Sequence, residues 1–102
     1  MGLRDHREEA ALSLYRSLCQ SLRDMEKSLA EDETIMFSGN GPNSREAYLN
    51  QIIRRGDLLQ VVGTSDNNEL VILTFAPEQF SIQMSSVTKP GKKTAIGFEQ
   101  FD

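Results

Sequence analysis

Three lysines fall within five residues at Lys89, Lys92 and Lys93, around the Pro-Gly pair of VTKPGKKTAIGF (87–98), and three arginines, Arg45, Arg54 and Arg55, stand elsewhere in the chain. Clustered cations are the residue types that bind phosphate or nucleic acid. Locally, however, Lys-Pro-Gly-Lys between two apolar runs fits a type II turn, with Pro90 where φ is preset and Gly91 where φ is positive. Lysines beside such a turn are solvated ends that discourage edge-to-edge strand pairing. Three lysines on one exposed turn hold phosphate weakly against ~0.15 M salt. An anion site therefore needs Arg45, Arg54 or Arg55 to converge on the turn, from the same chain or from a neighbouring subunit.

The remaining reactive residues offer little catalysis. The single histidine, His6, and the single cysteine, Cys19, sit on one predicted helix. They are separated by roughly 20 Å, which excludes a Cys-His pair within one chain. Cys19 lies at the edge of an apolar arc, where a buried, inert thiol is expected. Zinc lacks ligands, and no Ser-His-Asp set can be built around a histidine on the first turn of a helix. The acidic pairs are sequence neighbours on exposed segments. The loop SGNGPNS (38–44) invites comparison with glycine-rich anion cradles, but it is not GxGxxG, carries no P-loop lysine and loses a donor at Pro42. A connector is expected there. The reading is of a non-enzymatic protein with no cofactor and no metal.

The 102 residues and net charge of −4 describe one soluble domain and argue against a general nucleic-acid binder. A lone cysteine rules out an internal disulfide framework and suggests a reducing compartment. No apolar run approaches the ~20 residues that span a bilayer. MGLRDHREEA has no apolar signal region, so the expectation is a cytoplasmic protein.

The elements that must position these residues begin with a long amphipathic helix over 5–31, capped by Asp5 with Glu8. Ala11, Tyr15, Leu18, Leu22, Met25 and Leu29 step by fours and threes along it, a heptad seam widened by Leu12, Leu14 and Cys19. Such a helix outruns strands of about seven residues (roughly 23 Å), which makes the seam a candidate surface for self-association. The acidic run Glu31–Asp32–Glu33 stops the helix, because the dipole disfavours negative charge there. A short strand is expected at 34–37. A second helix is expected over 44–55, capped by Asn43 or Ser44, with Tyr48, Leu49, Ile52 and Ile53 as its apolar face and Gly56 ending it.

From Asp57 the period becomes that of strands. LLQVVG (58–63) and ELVILTF (69–75) read as a hairpin around Asn67-Asn68, residues that tolerate positive φ. Phe80, Ile82 and Met84 alternate with polar residues along a further strand, and TAIGF (94–98) forms the last. The fold class is α+β: a long N-terminal helix, a short second helix and a four- to five-stranded antiparallel sheet, with residues 57–98 as a meander.

The stretch GTSDNNELVILTF, then FSIQM, a basic turn and AIGF resembles an uncharacterised bacterial domain family with a G-T…I-G-F pattern, over Asp57–Phe98. That resemblance implies no activity. YLNQIIRR followed by antiparallel strands is similar in outline to Sm-like RNA-binding proteins, from which the long first helix and acidic charge depart. Together these features lead first to a small acidic, homo-oligomeric binding module, an inhibitor, adaptor or chaperone, that occupies a protein partner or a small ligand. The alternative is a protein that sequesters a small phosphorylated ligand, such as a nucleotide signal, at a subunit interface. An Sm-like RNA-binding protein comes third.

Overall fold

The computed structural model describes residues 3–40, 45–91 and 95–101, with side chains from His6 onward. The loop residues 41–44, Lys92, Lys93 and the capping side chain of Asp5 lie outside them.

Helix α1 runs Leu3–Lys27. It ends short of the expected Ala30–Glu31 because the acidic segment folds on itself. Ala30 N–H donates to the Glu33 carboxylate at 2.8 Å (Oε1), and Glu33 N–H returns to Ala30 O at 3.0 Å. Strand β1 follows at Glu33–Gly39, β2 at Glu46–Arg55, β3 at Leu58–Thr64 and β4 at Leu70–Phe75. A 3-10 turn at Pro77–Gln79 leads to β5 (Ile82–Thr88), and β6 spans Gly97–Phe101. The sheet order is β4-β3-β2-β1-β5, with β6 added beside β2. Among the described residues no helix is long and apolar enough to cross a membrane.

The α+β class holds, with six strands and one α-helix among the described residues where four or five strands and two helices were expected. The second helix over 44–55 is corrected to strand β2. Its helix-like spacing has a specific cause. Ala47 and Leu49 face the core two residues apart, but the register against β3 slips between Leu49 and Gln51. Asn50 is thus an extra, bulged residue, and the next core position is Ile52, three residues after Leu49. A bulged strand buried along most of its length imitates a helical stripe.

The C-terminal meander is corrected as well. β5 pairs with β1 from Glu33↔Thr88 to Gly39↔Ile82, while β6 runs parallel to β2 from Gln51↔Gly97 to Arg55↔Phe101. β1 holds β2 only through Met36–Ser38, and β6 takes the same edge of β2 further along. β5 and β6 therefore run the same way. The Pro90-Gly91 turn, with Gly91 at φ 82° as type II geometry requires, steps the chain across instead of closing a hairpin. The β3–β4 hairpin forms as expected, with Asn68 at φ 61°. The β2–β3 hairpin turns on Gly56 at φ 58°, where a Cβ would be strained.

The core lies between α1 and one sheet face. Tyr15, Cys19 and Leu22 descend from the helix onto Ile35, Phe37, Leu49, Ile52, Leu59 and Val61. Among the described side chains of α1, the first buried one is Ala11, and His6, Arg7, Glu9 and Ala10 are exposed.

Candidate interaction surface

The helical seam is covered by the chain's own sheet. Ala11, Tyr15 and Leu22 are buried, and Leu18, Met25 and Leu29 pack half-buried on the same core. The broad arc that suggested self-association through α1 is the width a helix needs to seat on a sheet. Ala11, Tyr15 and Leu22 serve the chain's own core, and Leu18, Met25 and Leu29 keep part of their surface outward.

Within that seam, burial pushes the Tyr15 phenol up to about 12, reinforced by the neighbouring Cys19, and burial likewise raises the Cys19 thiol. Both groups are held neutral in the fold and ionise more readily once the chain unfolds. Their contribution to stability is complete below pH 9, the ordinary thiol value, and is lost as pH rises toward 12. Denaturant midpoints should therefore hold level up to about pH 9 and fall above it, and Tyr15→Phe combined with Cys19→Ala should flatten the fall. Cys19→Ala alone is expected to lower stability by about 1–2 kcal/mol at neutral pH, as removal of a small buried side chain does, with no chemical activity lost.

Each of the described cations of the expected anion site has a partner within the chain. Arg45 and Lys89 reach the same β3–β4 turn, but each meets a carboxylate there. Arg45 Nη1 donates to Glu69 Oε2 at 2.8 Å, and Lys89 Nζ donates to Asp66 Oδ1 at 3.3 Å. Tyr48 O–H donates to the same Asp66 oxygen at 2.6 Å, and the Lys89 ammonium sits 5.5 Å from the Tyr48 ring centroid. This knot ties β2, the β3–β4 turn and the end of β5; the hydrogen bond to Asp66 raises both the Tyr48 and the Lys89 pKa. Arg54 and Arg55 lie at the far end of β2. Buried Arg54 donates from Nε to Gln100 Oε1 at 3.0 Å and from Nη1 to Gly56 O at 2.8 Å, clasping β6 to the β2–β3 turn. Arg55 donates to Gln60 Oε1 at 2.8 Å and covers the Phe101 ring at 4.6 Å. The described members of the predicted anion site are thus clasps at two ends of the sheet.

The sequence points to the outer face of β4 through the run at 69–75, which is apolar at nearly every position. Val71, Leu73 and Phe75 point to the core, which leaves Leu70 66% and Ile72 48% exposed on the other side. These are the two most exposed large apolar side chains among the described residues. Cross-strand pairing sets Ile72 beside Val62, which is buried, and Leu70 beside the polar Thr64, so the exposed apolar surface belongs to β4 itself. β4 is also an edge strand, paired on one side only. Its six residues, LVILTF, contain no charge, proline or glycine, the devices by which edges are usually protected from pairing. The opposite edge, β5, exposes Gln83, Ser85, Ser86 and Thr88 instead, and β6 carries Glu99. A nearly all-apolar strand predicts cover on both faces, and on β4 Leu70 and Ile72 are left without it.

Comparison of the chain with family models, with curated proteins and with solved structures returned no match, so its function rests on these surfaces.

Proposed function

We propose that the chain is a non-enzymatic, homo-oligomeric binding module of the inhibitor, adaptor or chaperone type, and that it associates through the β4 edge. The observation carrying this reading is the uncharged edge strand with Leu70 and Ile72 exposed. The strand suits a second copy of itself. In an antiparallel two-fold pair, residues facing each other must share a face, so the axis has to pass through a residue. Centred on Ile72, it sets Ile72 against its own mate, Leu70 against Thr74 and, on the core side, Val71 against Leu73. Every pair is free of charge. Six residues of edge plus the apolar patch make a small interface, so association at micromolar concentration is expected.

The same edge presents main-chain donors and acceptors to an extended peptide, the usual chemistry of strand addition. That is how a module of this kind would occupy a protein partner, by exchanging its own copy for a strand of another chain. Buried Cys19, its thiol pushed up by burial, supplies no nucleophile.

Ile72→Lys with Leu70→Lys tests the reading. Both side chains are solvent-facing, so the fold should persist with unchanged circular dichroism. Sedimentation velocity should move from a concentration-dependent mixture to monomer. A wild-type monomer at high micromolar concentration, or a doubly substituted chain that still associates, would contradict it.

A further inference from the structure

One groove stands apart from the edge. Helix α1 and strand β6 enclose an open space of about 500 Å³, within the ordinary range for small-ligand sites. Parallel pairing of β6 with β2 places Phe98 beside Ile52 and Gln100 beside Arg54, on the helix-facing side. Above them, Arg16, Gln20 and Arg23 follow at helical spacing and form the outer rim, while Tyr15 and Cys19 make the floor. Arg16 and Arg23 lie seven residues apart, about 10 Å along the axis.

The charge of this groove is unlike that of the chain. Its lining contains two arginines and no carboxylate among the described residues, although acidic residues outnumber basic ones by 15 to 11 overall. Arg16 makes no ion pair or hydrogen bond among the described residues, and Arg23 rests on an aromatic ring, its Cζ 4.9 Å from the Phe98 centroid. Both guanidiniums keep their donor forks. Arg54 occupies Gln100 Oε1, which turns the amide NH₂ of Gln100 into the free end, and adds its own positive charge behind the groove. Asp24, next to Arg23, accepts from Gln20 Nε2 at 3.0 Å and is not part of the lining. The phenol and thiol of the floor stay neutral at physiological pH and bring no compensating anion.

We propose that the α1–β6 groove binds the phosphate group of a small phosphorylated molecule, with Arg16 and Arg23 as paired guanidinium donors and Gln100 as a neutral one. Guanidinium forks match the oxygen spacing of phosphate, and two of them on one rim offer bidentate contact from one side. The groove is open on its outer side, and its volume of about 500 Å³ suits a small ligand. This is the ligand class that the cation-rich turn suggested, held by different arginines at a different place. It does not depend on edge pairing and is accessible in a single chain.

The test is an NMR titration of the monomeric Leu70→Lys, Ile72→Lys chain and of the wild type with AMP, inorganic phosphate and adenosine at low salt. AMP and inorganic phosphate should shift the amides of Gln20, Arg23 and Gln100 in both proteins, AMP more tightly, and adenosine should not. Arg16→Ala with Arg23→Ala should weaken AMP binding by at least about tenfold, the loss expected for charged hydrogen bonds. Arg16→Glu, which leaves the Phe98 contact in place, should abolish it. Arg45→Ala, at the other end of the sheet, should leave it unchanged, and affinity should fall with added salt. Absence of shifts at millimolar phosphate and AMP, equal binding of adenosine, or full binding by the double arginine variant would overturn the proposal and leave edge pairing untouched.

Discussion

Leu22→Glu is expected to unfold the chain. Leu22 is 2% exposed at the centre of the helix–sheet contact, within the cluster formed by Tyr15, Cys19, Ile35 and Phe37. Losing a buried leucine costs about 2–5 kcal/mol in packing, and burying a carboxylate among the apolar side chains of this cluster adds several more. A domain of this size has about 5–15 kcal/mol to lose. Leu18→Glu sits half-buried on the same helix and should give a folded but weakened chain. This contrast separates the helix as core from the helix as interface, since an interface seam would answer both substitutions with a folded monomer. Circular dichroism and urea titration of the two variants decide it.

Gly63→Ala should weaken the fold without unfolding it, for the opposite reason. A Cβ at Gly63 would run into the edge of the Phe37 ring and the carbonyl oxygen of Tyr48. The ring belongs to the core and the carbonyl to the central strand, so neither has an easy way to retreat. Overpacking of this kind costs about 1–3 kcal/mol and more where backbone is involved; the upper end is expected here. The urea midpoint should fall with the m-value unchanged. Phe37→Leu in the Gly63→Ala background should recover part of the loss, because a smaller side chain frees the space that the new methyl needs. A Gly63→Ala chain as stable as the wild type would mean that Phe37 does not rest on β3.

Much of this fold was legible where one period ran undisturbed. α1, the β3–β4 hairpin with its left-handed Asn68 and the alternating strand through Ile82 and Met84 all follow local chemistry. β2 was not legible because the bulge at Asn50 replaced one two-residue step with three, and Ile52 and Ile53, β-branched residues suited to strands, were outweighed by that spacing. The partner of β6 was hidden for another reason. A local turn at Pro90-Gly91 fixes how the chain bends but not whether the next strand returns to β5 or crosses to β2. Arg45 and Lys89 have local duties, and their carboxylate partners, Glu69 and Asp66, are distant in sequence. Arg16 and Arg23 were overlooked because a charged helix face reads as solvated until β6 is known to lie beneath it.

The central claim is that β4 is where copies of the chain meet, and amide hydrogen exchange measured at two protein concentrations reaches it most directly. Residues 69–76 should exchange more slowly at high concentration, because pairing across the edge protects the outward N–H groups of β4. Exchange in β5, β6 and α1 should not change with concentration. Slowing confined to α1, or no dependence on concentration anywhere, would contradict the account.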